Sequence, residues 1–316
     1  MDEARGHTVQ WYPGHMTKSV RMMNESLKLV DVVIELLDSR IPYSSKNPEI
    51  DKLAKNKKRI ILLNKSDLSD ETATKKWAEY YKNQGFEVIA IDSIRGKNIG
   101  KITGTAMGLM KETIERDKAR GRIFRPVRAM VAGIPNVGKS AFINKYVGKA
   151  AAKTGDKPGV TRGKQWIRLK KDFELLDTPG ILWPKFEDRI TGMNLAFTGA
   201  INDNILDSQI MGIEFINMMR MRFADILAER YGIEISEGEA DHEVFDKICF
   251  ARGFKAKGGE PDYGRCGKAL LEDFRSGKFG KLTIEMPEDI PAREEAAEAE
   301  KQRKAEKKPK KSSPRA

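Results

Sequence analysis

Cysteine is nearly absent. Cys249 and Cys266 are the only two in 316 residues, too few for a disulfide framework or a zinc cluster, so a reducing compartment is expected. Long apolar runs are missing too: none approaches the ~18 residues that span a bilayer. The first residues, Met1-Asp2-Glu3-Ala4-Arg5, lack the apolar stretch of a signal peptide. Charged residues make up 33% of the chain and mean hydropathy is −0.54. The expectation is a cytoplasmic, monomeric protein without a membrane partner. Acidic charge is also in deficit, since the formal net charge is +12. Residues 301 to 316 hold eight Lys or Arg against one Glu, so more than half of that excess sits at one end. Such a tail suits a polyanion such as RNA through counterion release; a solvated terminus is written in the same letters.

The length suggests about two domains at roughly 150 residues each. What organises them is Gly133-Ile134-Pro135-Asn136-Val137-Gly138-Lys139-Ser140, which fits the phosphate-binding pattern G-x-x-x-x-G-K-[ST] at every position. In that pattern the backbone N–H groups of Val137, Gly138, Lys139, Ser140 and Ala141 curl around phosphate oxygens. Lys139 reaches the β- and γ-phosphates, and the Ser140 hydroxyl ligates Mg²⁺. Val127 to Ala132 reads as a buried strand before the loop. Ser140 to Val147 reads as a helix whose N-terminus faces the anion.

A second motif lies upstream. Val32 to Leu37 and Arg59 to Leu63 read as buried strands, the second ending in Asn64-Lys65-Ser66-Asp67. Asn-Lys-x-Asp at the carboxyl end of a parallel strand can recognise guanine. Asp67 accepts from N1–H and the 2-amino group, Asn64 bonds the other polar edge, and the Lys65 stem lies over the ring. Adenine lacks that paired donor edge. Between the two strands Asn47 and Pro48 start a helix expected to reach about Lys57. Asp70 caps another helix through Asn83. After a strand at Glu87 to Ile91, the Ser93-Ile94 backbone is positioned to support the base, although alanine is more usual where Ile94 stands. A helix from about Ile99 to Lys118 precedes the strand of the phosphate loop.

Downstream, Thr161 is the candidate switch threonine, with its hydroxyl on Mg²⁺. Gln165 to Leu169 and Phe173 to Leu176 read as a hairpin ending in Asp177-Thr178-Pro179-Gly180. Asp177 would hold the water shell of Mg²⁺ and the Gly180 N–H would meet the γ-phosphate. Helical patterns follow at Ser208 to about Gly232, His242 to Ala251 and Gly267 to Phe274. The basic, glycine-rich stretch Arg252 to Gly259 suits a nucleic-acid contact or a solvated loop. From about Pro291 the composition suggests disorder.

Phosphate loop, switch threonine, Asp-x-x-Gly and Asn-Lys-x-Asp are the parts of a Ras-like GTPase, here with base recognition first. The expected fold is therefore α/β: a circularly permuted P-loop GTPase domain over 1–187, with a mostly parallel sheet and helices on both faces. A smaller all-α domain over 188–290 and a disordered basic tail over 291–316 complete it. Together with Trp-Tyr-Pro-Gly-His-Met at 11 to 16, Asp-Ser-Arg-Ile-Pro at 38 to 42, Asp262-Tyr263 and Asp273 to Lys278, this order resembles the circularly permuted YlqF-type GTPases, assembly factors of the large ribosomal subunit.

The resemblance implies GTP hydrolysis to GDP, stimulated by that subunit, with ribosomal RNA and proteins as partners and 188–290 as the RNA- or ribosome-binding domain. It also bears on catalysis. Ras-like enzymes follow Asp-x-x-Gly with a water-orienting glutamine, but Ile181 stands here and has no polar side-chain group. In the family the histidine of the Pro-Gly-His segment is implicated, which is His15 in this sequence. The family further implies K⁺ near the phosphates with Asn136 as ligand. An RNA or ribosome tether that uses nucleotide only structurally is the alternative reading.

Overall fold

The computed structural model describes residues 14–122, 125–148, 165–183, 186 and 188–306. Its centre is a six-stranded sheet in the order β3-β2-β1-β4-β6-β5. The strands are β1 (Val32–Asp38), β2 (Lys58–Asn64), β3 (Glu87–Ala90), β4 (Val127–Gly133), β5 (Gln165–Lys170) and β6 (Phe173–Asp177). Only the β5–β6 pair is antiparallel, as expected for a hairpin closed by a short turn. β1 is buried along its whole length, which is why it is apolar in succession instead of alternating.

Helices α1 (Gly14–Leu27), α2 (Pro48–Leu53), α3 (Glu71–Asn83), α4 (Lys101–Ala119) and α5 (Lys139–Val147) accompany the sheet. Their starts follow the capping chemistry. Asn47 accepts from the Glu49 N–H with Pro48 in the first turn, and Asp70 accepts from the Ala73 N–H; each satisfies an otherwise orphaned donor. One expectation shifts. α2 stops at Leu53 instead of near Lys57, because Ala54 leaves helical angles and its N–H closes on Ile50. The Pro-Gly-His segment enters α1 at Gly14.

Strand order reverses beside β1: β2 and β3 lie to one side, and the chain then returns to place β4 on the other. At such a switch point the loops leaving the carboxyl ends of neighbouring strands diverge and open a crevice for ligands. The carboxyl ends here are Asp38, Asn64, Gly133 and Asp177.

After β6 the chain is helical, with α6 (Arg189–Phe197), α7 (Ser208–Tyr231), α8 (Asp241–Ala251), α9 (Tyr263–Arg275) and α10 (Ile290–Glu306). α7 is capped by Asp207 and ends at Gly232 with φ 64°. α9 begins four residues earlier than its apolar spacing suggests, because the Asp262 carboxylate accepts from the Arg265 N–H. Phe197, Phe215, Phe274 and Phe279 pack ring against ring between α6, α7 and α9. Of the expected disordered tail, 307–316 lies outside the described residues, while residues 291–306 belong to the helix α10. Its Ala, Glu and Lys are strong helix formers, and it is anchored by Ile290, Arg293 and Ala297, all less than 10% exposed.

That anchor reaches back to the sheet. The buried Glu285 carboxylate accepts from the Ser44 N–H (3.0 Å), Asn194 Nδ2 (2.9 Å) and Arg293 Nη1 (2.6 Å), joining the loop after β1 to α6 and α10. Its backbone carbonyl accepts from Trp77 Nε1 at 2.9 Å. Trp77 is 0% exposed and stacks on Tyr81 with centroids 5.7 Å apart. Trp77→Ala therefore removes a fully buried ring and a tie to the C-terminal segment. The expected loss is about 3–5 kcal/mol, read as a lower urea midpoint; an unchanged midpoint would show that this contact does not stabilise the fold.

Candidate functional site

The loops after β2 and β4 are joined by one buried amide. Asn64 is 1% exposed. Its Nδ2 donates to the Val137 carbonyl at 2.8 Å. Its Oδ1 accepts from the Ser93 N–H at 3.2 Å and the Ser93 hydroxyl at 2.7 Å. The two loops meet so closely that a Cβ on Gly138 would lie 2.4 Å from Asn64 Nδ2. Gly138 also has φ 98° at the start of α5, a geometry that glycine reaches without strain.

Lys65 makes a second tie from a left-handed backbone, φ 59°. Its Nζ donates to the Asn136 carbonyl at 2.9 Å and lies 3.0 Å from Asp38 Oδ2. Burial would raise the Asp38 carboxyl, but Arg40 and Lys65 overcome it and hold the group well below the usual carboxylate range. Asp67 is half-buried. Among the described residues no donor is paired with its carboxylate, so both oxygens remain for a ligand.

Ser93 and Ile94 depart from expectation. The Ser93 N–H is bonded to Asn64, and the Ile94 N–H donates to Asp92 Oδ1 at 2.8 Å. In this conformation both donors act inside the protein. What reaches solvent is the Ile94 side chain, 77% exposed.

On the phosphate side, Lys139 Nζ donates to the carbonyls of Gly133 (3.2 Å) and Ile134 (2.7 Å), its own loop. Burial lowers its ammonium to about 8, opposed by the charge of Asp177. Gly180 packs against this loop: a Cβ there would come within 2.7 Å of Lys139 Nζ and 2.9 Å of the Pro135 backbone. Ser140 opens α5, where its hydroxyl and the first helical N–H groups lie at the positive end of the helix dipole.

Asp177, 1% exposed at the end of β6, has Oδ1 buried with no hydrogen-bond partner. Burial pushes its carboxyl from the usual 3.8 up to about 6. A buried carboxylate oxygen without a donor at the end of β6, and a serine hydroxyl in the first turn of α5, are the hard oxygen donors that Mg²⁺ prefers. Thr161 lies outside the described residues. So does the His15 side chain, although its backbone is in the first turn of α1.

Ile181 is 1% exposed, its N–H donating to the Gly133 carbonyl and its own carbonyl accepting from Asn47 Nδ2. It packs in one cluster with Met23 and Leu27 of α1. At 1.5 Å per residue His15 lies about 12 Å along the helix axis from Met23.

Two links were not predicted. Asn136 Nδ2 donates to the Gly199 carbonyl after α6 at 2.7 Å, joining the phosphate loop to the helical region. Arg40, 1% exposed, forms a two-pronged pair with Asp38 at 2.9 and 2.8 Å. The Asp-Ser-Arg-Ile-Pro motif marked this position, but its chemistry depends on partners more than two hundred residues away.

Residues 128–225 match a family described as 50S ribosome-binding GTPase. The chain is 46% identical over 283 residues to ribosome biogenesis GTPase A of Bacillus cereus, covering 89% of this chain and 95% of that one. It is 34% identical over 283 residues to ribosome biogenesis GTPase A of Thermotoga maritima, covering 89% and 96%. It also superposes on GNP-bound YlqF from T. maritima with TM-score 0.61 and 31% identity, covering 86% and 99%. The chain belongs to the ribosome biogenesis GTPase A family. It is a circularly permuted GTPase, a family that binds GTP and GDP. The expected fold class holds, with a mostly parallel P-loop sheet followed by helices.

The raised Asp177 carboxyl has a testable consequence. The folded protein keeps a proton there that the unfolded chain releases above 3.8. The associated stability is full below that value and lost as pH rises through about 6. For nucleotide-free protein, the thermal midpoint of Asp177→Asn relative to wild type should rise across this window. A difference independent of pH would show that Asp177 is not a buried, strained carboxylate.

Proposed function

We propose that this GTPase acts in the cytoplasm as an assembly factor for the large ribosomal subunit, which stimulates its hydrolysis of GTP. The reading rests chiefly on the open Asp67 carboxylate, in the loop whose Asn64 donates to the Val137 carbonyl of the phosphate loop. Asp67 accepts from the guanine N1–H and 2-amino group, the Lys65 stem covers the ring, and the second N–H of Asn64 faces the base's other edge. The Val137 to Ala141 N–H groups hold phosphate oxygens. Lys139 leaves the Gly133 and Ile134 carbonyls for the β- and γ-phosphates, and the Gly180 N–H meets the γ-phosphate.

Ser140, Thr161 and, through water, Asp177 would hold Mg²⁺, which when bound neutralises charge on the β- and γ-phosphate oxygens. The Asn136 side-chain oxygen is a hard donor that would suit K⁺, which would supply further positive charge there when bound. Ile181 is apolar and fixed by its neighbours, and the resemblance to YlqF-type GTPases implies that His15, carried on a helix that shares Ile181's cluster, orients the attacking water.

The remaining domain assignment follows this division of labour: 1–187 binds nucleotide, and the helices over 188–290 face the ribosome. Phe250, 48% exposed, has Lys255 Nζ 5.6 Å above its ring. Arg252 and Arg265 both lie over Phe254, at 5.8 and 4.8 Å. Cations interleaved with aromatic rings can bind RNA phosphates and stack unpaired bases. The relatives' names, and a match to a 50S ribosome-binding family, support the large subunit as partner.

The test is GTP turnover by wild type and His15→Ala, with and without purified large subunits. Wild type should be stimulated and the variant should bind GDP normally yet gain little from subunits, since a positioned water-orienting group contributes roughly 10²–10⁴ in rate. No stimulation of wild type would refute the subunit as activator; full stimulation of the variant would move the water-orienting role elsewhere.

A further inference from the structure

Asp38 and Arg40 take no part in the nucleotide chemistry above, yet both charges are buried at the rim of the site. A buried guanidinium is costly unless each donor is satisfied, and the partners of Arg40 fall on two different parts of the protein. Nε and Nη2 grip the two oxygens of Asp38. Nη1 donates to the carbonyls of Phe274 (3.2 Å) and Arg275 (3.4 Å), the C-terminal end of α9. The guanidinium also lies 5.0 Å from the centroid of the Phe274 ring. A cation at a helix C-terminus meets both unsatisfied carbonyls and the negative end of the helix dipole.

From Asp38 the connection continues to the nucleotide loops. Asp38 Oδ2 holds Lys65 Nζ, and the same Nζ holds the Asn136 carbonyl of the phosphate loop. Asn136 reaches back to the Gly199 carbonyl. Arg275, whose carbonyl Arg40 holds, donates to the carbonyls of Phe197 (3.0 Å) and Ala196 (2.8 Å) just before that glycine. Two routes thus join the guanine and phosphate loops to the helical region, and both pass through α9 or the turn it supports. Backbone bonds lie alongside: Ile284 N–H to the Arg40 carbonyl at 2.9 Å, and Leu282 N–H to the Leu68 carbonyl, next to Asp67, at 3.0 Å.

We infer that Arg40 is a positioning residue that couples guanine-nucleotide binding to docking of α9, through the relay α9 carbonyls–Arg40–Asp38–Lys65–Asn136. It touches neither base nor phosphate. Nucleotide that orders Lys65 and Asn136 fixes Asp38, hence Arg40, hence the end of α9; by linkage, whatever moves α9 changes nucleotide affinity by the same factor. Lysine keeps the charge at position 40 but lacks the planar fork that serves Asp38 and α9 at once. The inference rests on the assignment of the nucleotide to the loops after β2 and β4.

Hydrogen exchange of the full chain, with and without GDP and Mg²⁺, combined with GDP titration, tests it on wild type, Arg40→Lys and Phe274→Leu. In wild type GDP should slow exchange at the Ser276 and Gly277 amides and at Leu282 and Ile284. In Arg40→Lys that GDP-dependent protection should vanish and GDP affinity should fall on the order of tenfold. Phe274→Leu leaves the buried ion pair intact, and should lose part of both. If Arg40→Lys does not fold, Phe274→Leu decides alone. Wild-type GDP affinity and protection in the folded variants would overturn the relay, as would wild type that binds GDP without protecting α9. Wild type that binds no GDP would instead overturn the nucleotide assignment beneath it.

Discussion

The side-chain amide of Asn64 is the constraint from which the site follows. The motifs proposed for base recognition and phosphate binding leave different strands, β2 and β4, separated by β1. Loops at such a distance do not hold register by themselves. One buried amide with a donor on Val137 and an acceptor for Ser93 brings three loops to a single point. Buried hydrogen bonds of this kind contribute about 1 kcal/mol each when made, and leave a larger penalty when one partner is removed. Gly138 is required because there is no room for a side chain beside that amide. Lys65 adds a charged tie over the same gap, so the two loops proposed for guanine and phosphate are joined as one unit.

Permutation becomes intelligible on this basis. The brace depends on the spatial order of strands, which the sheet preserves, and not on which motif is synthesised first. What changes is what each loop leads into. β6 ends at Asp177, Gly180 follows it, and the chain then passes into α6 instead of returning to the sheet. The helices are not a loose appendage, because Glu285 joins α6 and α10 to the loop after β1. A change at Gly180, whose position is set by Lys139 and Pro135, is therefore conveyed toward a region already fastened to the far side of the same site.

Much of this was legible in the sequence where a function is encoded in contiguous residues. The two phosphate motifs, Asn-Lys-x-Asp, the caps at Asn47 and Asp70 and the β5–β6 hairpin are local patterns, and each appears where its residues imply. The missing parts are those whose partners are remote. Arg40 finds the end of α9, Asn136 finds Gly199, and Glu285 finds Arg293 and Ser44. None of these pairings has a spacing rule. α10 escaped for another reason: charge-rich composition suggests disorder, but Ala, Glu and Lys also favour helix, and the buried Ile290 and Ala297, with an arginine held between Glu285 and Asp188, anchor it. The expected donors Ser93 and Ile94 were located correctly as a loop beside Asn64, but their N–H groups are used by Asn64 and Asp92.

The claim that Asn64 assembles the two halves is tested most directly by the GDP affinity of Asn64→Ala, measured by titration on protein shown by circular dichroism to be folded. The loss of one donor and one shared acceptor, about 1 kcal/mol each, predicts a Kd at least roughly tenfold higher, with the weakening extending to inorganic pyrophosphate, which has no base. A Kd for GDP within about twofold of wild type, or a loss confined to GDP while pyrophosphate binds as before, would contradict the account.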